Sequence, residues 1–248
     1  MGGKAGLTLV LALVGCTSTV QGSGRYQPVC APAFFGVPGS GQGADNPAPA
    51  RVPTGISAAD ARRFGTTEAV LKRDLTAVSS GRLASTTAVT YPAAPVDRYV
   101  GITGLTPDLD HSEVQGVTAL VRGIRSVRRN ECGYRPVLLS GYSQGAEVVI
   151  RAVSRLSASE RTHVAVALFG NPSRRPGTGP QYPPGVAGSG VRPTFLNGSA
   201  YTLPADLRAR SLDVCAPGDP VCAVDPHLPD FLSRVNWVLD RVRAHLPR

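Results

Sequence analysis

The sequence predicts an α/β fold, a three-layer sandwich with a central, mostly parallel sheet. Three observations predict it. Strand-like apolar runs alternate with segments of helical periodicity, which implies strands joined by helical crossovers and a sheet covered on both sides. One of these runs passes through a glycine-flanked turn directly into a helix-like stretch, within residues 136–156. No internal repeat is visible, and the 248 residues, less an N-terminal leader, make one domain with ample length for a core.

The leader comes first in the chain. A short positive start, residues 1–4, precedes an apolar stretch at 5–15 that is too short to span a membrane and fits a signal peptide. Leu13-Val14-Gly15-Cys16 looks like a bacterial lipobox. Residues 1–15 are therefore read as a lipoprotein-type signal peptide, Cys16 as its lipidation site, 16–25 as a polar tether, and 26–248 as a single domain. An ordinary signal peptide with an incidental Cys16 is the alternative.

The strand-like runs are Ala33–Val37, 88–91, 137–140, Val164–Phe169 and 210–214. Helical segments lie between them. Residues 58–78 form one candidate, with a break at Gly65. Ser112 and Gln115 have the spacing of a capping box, and Val114, Val117, Val121 and Ile124 follow at helical spacing. A last helix carries Phe231, Val235, Val238 and Val242 on one face, with the single tryptophan, Trp237, read as packing. The Pro- and Gly-rich stretches 39–53 and 171–190 read as loops, the second expected to shape a cleft.

The most specific signal is Gly141-Tyr142-Ser143-Gln144-Gly145. It is a G-x-S-x-G pattern in strand–turn–helix context, the nucleophile elbow. The turn is sharp, so small residues must flank the serine, and the N–H of Gln144 then points at a developing oxyanion. A nucleophilic serine needs a base, and the base an orienting acid. With this elbow the chain order is Ser, Asp or Glu, then His.

Downstream of Ser143 lie His163, His227 and His245. His163 opens an apolar run and reads as an edge-of-strand residue. His245 sits near a helix C-terminus, where the dipole favours a cation. His227, in a proline-flanked loop before the last helix, is the preferred base, with His245 kept open. Asp219 is the preferred acid because Cys215 and Cys222, seven apart around Pro217 and Gly218, can close a tight loop that holds it. Asp213 and Asp225 compete with it.

Gly-Tyr-Ser-Gln-Gly, then Cys-x-x-Gly-Asp-x-Val-Cys, then His-Leu before a final helix resembles the cutinase family of serine esterases, most of all its actinobacterial branch. Tyr91-Pro92-Ala93, the segment 116–132 and Leu168-Phe169-Gly170-Asn171-Pro172 add to the likeness, which covers about residues 27–246. The resemblance implies a cutinase-like α/β-hydrolase fold and a triad of Ser143, Asp219 and His227. It implies an oxyanion hole made by Gln144 N–H and Ser40, in the loop after the first strand. It also implies disulfides Cys30–Cys132 and Cys215–Cys222, where spacing alone leaves three pairings of four cysteines open. Cys16 is the fifth cysteine.

Two departures stand out. Pro38 and Gln42 replace the Arg and the acid that often brace the Ser40 loop in the family. The interval from Cys222 to His227 is also shorter than in the fungal enzymes.

No Cys/His spacing suits zinc and no P-loop is present, so neither a metal nor another cofactor is expected. The formal net charge of +9 fits an anionic wall, anionic lipid or solubility. Arg122, Arg125, Arg128 and Arg129 read as a solvated face, and nucleic acid is not expected as a partner of an exported chain without a binding motif. The leader implies an exported chain, lipid-anchored on the outer face of the cell membrane or secreted, and a monomer is expected. The resemblance implies action on short- to medium-chain carboxylic esters, cutin-like polyester or lipid esters. A narrower enzyme on phospholipids, triacylglycerols or mycolyl esters is a second reading. A non-catalytic envelope-binding lipoprotein is a third.

Overall fold

The structure is a computed structural model that describes residues 30–79, 81–95, 107–128, 135–195, 200–225 and 227. The strands are β1 (Ala33–Val37), β2 (Ser85–Ala88), β3 (Val137–Tyr142), β4 (Val164–Phe169), β5 (Gln181–Tyr182) and β6 (Ser211–Val214). The α-helices are α1 (Ala58–Phe64), α2 (Thr66–Val78), α3 (Pro107–Arg128), α4 (Gln144–Ser154), α5 (Ala158–Arg161) and α6 (Val191–Phe195), with a 3-10 turn at Ala205–Arg210. Every pairing in the six-stranded sheet is parallel, in the order β2-β1-β3-β4-β6-β5.

Alternation along the strands explains the three layers. Phe35, Val137, Leu139, Val164, Val166 and Leu168 pack with Val117, Leu120 and Ile124 of α3 and Val148, Val149 and Ala152 of α4. Their neighbours in sequence, Phe34, Leu138, Ala165 and Leu212, pack on the other face with Phe64 of α1 and Leu71 and Leu75 of α2. Successive side chains on a strand point to opposite faces, so a run such as Phe34-Phe35 or Leu138-Leu139 is buried on both.

Gly65 divides the expected 58–78 helix as its sequence implied. Its φ of 76° is open to glycine at little cost, and α1 and α2 meet there. Two expectations are corrected. Ser112 is no cap, because α3 begins at Pro107, a residue suited to the first helical position. The Ser112 hydroxyl instead accepts the Ala94 N–H at 3.2 Å. The second strand runs over Ser85–Ala88, not 88–91, since Thr86 and Thr87 extend along the edge of β1. The expected last helix, with Trp237 and His245, lies outside the described residues, as do Cys16 and the expected leader.

The strand order reverses between β1 and β3: the chain leaves β1 for β2 on one side and resumes with β3 on the other. Crevices in open α/β sheets form at the carboxyl ends of strands at such a switch point. Here those ends carry the Ser40 loop and the Ser143 turn.

Candidate active site

Ser143 lies between β3 and α4 with φ 53° and ψ −120°. Positive φ is disfavoured for a residue with a Cβ, so the surrounding structure must hold it. The glycines show how. A Cβ on Gly141 would lie 2.3 Å from the Gly145 carbonyl oxygen, and one on Gly145 would lie 2.2 Å from that of Val37. Both contacts are backbone atoms that cannot swing away. The Ser143 N–H donates to the Phe169 carbonyl at 2.8 Å, and the Ser143 carbonyl accepts the Ala146 N–H at 2.9 Å. The side chain is left partly exposed at the top of the sheet. Gln144 is the first residue of α4, so its N–H has no acceptor within the helix.

Ser40 lies beside the Gln144 side chain. Its hydroxyl donates to Gln144 Oε1 at 3.5 Å, a long contact that sets the two residues side by side. The loop that carries Ser40, with Pro38 and Gln42 in place of a charge pair, is braced by neutral groups. Tyr91 Oη donates to the Pro38 carbonyl at 2.5 Å, and Gly41 N–H to the Ala93 carbonyl at 2.6 Å. Asn46 Nδ2 donates to the carbonyls of Gln42 at 2.8 Å and Pro92 at 3.0 Å.

Asp219 sits in the loop closed by the Cys215–Cys222 disulfide. Its Oδ1 accepts the N–H groups of Val221 at 2.7 Å and Cys222 at 3.0 Å, which aims the carboxyl by its own loop backbone. Burial raises the pKa of Tyr142, and the charge of Asp219 raises it further, so Asp219 lies near the residue that precedes Ser143. Cys30 is also disulfide-bonded, and its expected partner Cys132 lies outside the described residues.

His227 is exposed, and its backbone N–H donates to Asp225 Oδ1 at 2.9 Å. Among the described residues no hydrogen bond joins its imidazole to Ser143 or Asp219. Residues 228–248 lie outside the described set, and catalytic hydrogen bonds are often long before substrate binds. The competitors fare differently. His163 precedes β4, and its carbonyl accepts the Val137 N–H at the start of β3. Six residues of parallel strand, about 20 Å, separate that edge from the elbow. Asp225 is committed to the turn before His227. Asp213, on β6, has its pKa raised to about 6 by burial, and its Oδ2 accepts Asn171 Nδ2 at 2.9 Å.

Sequence reasoning missed a buried ionic cluster on the elbow helix. Glu147, one turn beyond Ser143, accepts Arg192 Nε and Nη2, both at 2.6 Å, and the Ser173 hydroxyl. Glu113 of α3 joins Arg192 at 3.4 Å and Arg151 at 2.6 Å. Burial first, and then the charge of Glu147, raise the Glu113 pKa to about 8. Tyr201 lies under both arginines, 4.5 Å from Arg192 and 4.9 Å from Arg151. The cluster ties α4 to α3 and to the segment from Ser173 to Tyr201. Its only sequence signal is a glutamate on a helix whose other positions are mostly apolar. Arg122 and Arg125 of α3, with Arg155 after α4, line a hollow of ≈ 470 Å³, and Arg125 pairs with Glu160 at 2.8 Å.

The Cutinase family model matches residues 57–235, more than half of the chain and including Ser143, Asp219 and His227. This chain belongs to the cutinase family. It is similar to a Mycobacterium tuberculosis protein described as "Probable carboxylesterase Culp3", with 30% identity over 158 residues, 53% of this chain and 52% of that one. It is also similar to "Carboxylesterase Culp1" of Mycobacterium bovis, with 29% identity over 163 residues, 65% of this chain and 63% of that one. The chain thus spans about half to under two-thirds of the length of these curated relatives.

Among solved structures it resembles a cutinase-like protein from Cryptococcus sp., with a TM-score of 0.56, 20% identity, and coverage of 88% of this chain and 91% of that one. It also resembles an acetylxylan esterase, with a TM-score of 0.52, 18% identity, and coverage of 86% and 94%. These likenesses agree with the cutinase-like α/β-hydrolase fold. The Ser40 loop precedes the family match.

Proposed function

We propose that this cutinase-family chain is a serine carboxylesterase that works through an acyl-enzyme on Ser143. The observation that carries the reading is the strained turn at Ser143, φ 53°, held by two glycines that nothing larger can replace. Membership of the cutinase family, and similarity to relatives described as carboxylesterases, support it.

The chemistry follows from the parts. His227 takes the proton from Ser143 Oγ as the oxygen attacks an ester carbonyl. Asp219, aimed by the N–H groups of Val221 and Cys222, holds the ring tautomer and stabilises the imidazolium. The tetrahedral oxyanion is held by Gln144 N–H and Ser40, and each such donor is worth about 3 kcal/mol in the transition state. His227 then protonates the departing alcohol, and water attacks the acyl-enzyme by the same route in reverse. The substrates are short- to medium-chain carboxylic esters, and lipid or cell-wall esters are the narrower form of the same chemistry. The Cys215–Cys222 disulfide fits an oxidising compartment, which supports an exported protein; anchoring through a lipid on Cys16 completes this proposal.

The test is hydrolysis of p-nitrophenyl esters from butyrate to palmitate by wild type and Ser143→Ala. Turnover lost in Ser143→Ala, with an optimum at the shorter chains, is expected. An optimum at the longest chains would favour the lipid-specific form. No wild-type turnover with both disulfides intact would favour the non-catalytic envelope protein.

A further inference from the structure

Arg174 is 1% exposed, yet no carboxylate pairs with it through a hydrogen bond among the described residues. A guanidinium buried away from water must place its donors on something, and loop carbonyls buried away from water must find donors. Here the two terminal nitrogens and the loop oxygens satisfy one another, while Nε has no partner among the described residues. Nη1 donates to the carbonyls of Gly188 at 2.8 Å and Cys222 at 3.1 Å. Nη2 donates to the Val186 carbonyl at 2.6 Å and to Gln181 Oε1 at 3.1 Å. One planar group therefore joins β5, the strap 186–188 and the acid-bearing loop.

The contact with Cys222 matters most. Its N–H donates to Asp219 Oδ1 at 3.0 Å, its sulfur is bonded to Cys215, and its carbonyl accepts Arg174. A single residue thus transmits the position of Arg174 to the carboxyl of Asp219. The strap reaches further along the chain. Ser189 pairs with Val224 as an antiparallel bridge, and the Val191 N–H donates to the Val221 carbonyl at 2.9 Å. A Cβ on Gly188 would fall 2.2 Å from the Val224 carbonyl oxygen, so strap and loop pack backbone on backbone. Val224 lies three residues before His227.

We propose that Arg174 is a positioning residue that fixes the Asp219 loop, and the start of the segment leading to His227, relative to Ser143. This rests on the reading of Asp219 and His227 as acid and base. Lysine cannot replace it, because a single ammonium cannot reach carbonyls on three separate segments in one plane. Methionine fills the volume and supplies no donor. Displacing a catalytic group by about 1 Å typically costs on the order of 100-fold in rate.

The experiment measures kcat, KM and the pH profile of kcat/KM on p-nitrophenyl butyrate for wild type, Arg174→Met, Arg174→Lys and Asp219→Asn, at a temperature where each is folded by circular dichroism. The expected result is a loss of about 100-fold in kcat for Arg174→Met, with KM within twofold and the acidic limb moved down in pH towards that of Asp219→Asn. Arg174→Lys, which keeps the charge, is expected to show the same shift in smaller degree and covers the case in which Arg174→Met does not fold. A folded Arg174 variant that melts lower but keeps the wild-type kcat and acidic limb overturns the inference and leaves a purely structural arginine. Full activity in Asp219→Asn would remove the acid assignment itself. An inactive Asp219→Asn beside fully active Arg174 variants would remove the role of Arg174 alone.

Discussion

Glu68 is fully buried on α2, and neither of its carboxyl oxygens has a hydrogen-bond partner among the described residues. It faces Gly36 of β1 and lies near Ser140 of β3, whose hydroxyl is also buried without a partner in normal geometry. Burial raises its pKa from 4.5 to about 8, and the nearby Ser140 offsets only part of that. The folded state therefore keeps a proton that the unfolded state releases near pH 4.5. Stability from this group is fully present below pH 4.5, declines as pH rises, and is lost once pH passes about 8. At 1.36 kcal/mol per pH unit the total is about 5 kcal/mol, of which about 3 kcal/mol is already gone at pH 7.

Glu113 titrates in the same direction, so wild type should lose stability across this range through two groups. Glu68→Gln removes one of them while keeping shape and polarity. Urea unfolding of both proteins between pH 4.5 and 9 should give near-equal stability at the acid end. Glu68→Gln should be the more stable by several kcal/mol at pH 8. Equal pH dependence in the two proteins would refute the argument, because it would mean that Glu68 reaches water or an unrecognised partner in the fold.

Other predictions follow from the same geometry. Gly145→Ala would force a methyl to 2.2 Å from the Val37 carbonyl oxygen, so a lower melting temperature and lost esterase activity are expected together; a wild-type melt would contradict the packing. Ser40→Ala should lower kcat by roughly 100- to 1000-fold with little change in KM, read by steady-state kinetics. Glu147→Ala leaves Arg192 buried without its bidentate partner, and urea unfolding should show a loss of about 3–5 kcal/mol.

Much of this molecule was legible in its sequence where sterics or double-sided burial leave a mark. Strands β1, β3 and β4 appear as apolar runs because both faces are covered, and the break at Gly65 appears because only a flexible residue suits the corner. The elbow was legible because Gly141 and Gly145 are each pressed against backbone. β2 was misplaced by three residues, since its polar Ser85-Thr86-Thr87 at the sheet edge carries no apolar signature. β5 is two residues long, too short for any period.

The candidate site divides in the same way. The tight turn at Ser143 and the disulfide loop around Asp219 were visible through local glycine and cysteine spacing. Arg174, and the pair of Glu147 with Arg192, were not, because charged residues read as solvated by default and their partners lie far along the chain. Arg192 meets Glu147 across 45 positions, and Arg174 meets Cys222 across 48.

The central claim is that Ser143 is an activated nucleophile. Treatment of the folded, oxidised protein with a serine-directed alkyl fluorophosphonate, followed by intact and peptide mass spectrometry, tests it most directly. One stoichiometric adduct on Ser143 is expected, absent in Ser143→Ala and formed far more slowly in His227→Gln. No adduct on the folded wild type, or an adduct on another serine, would contradict it.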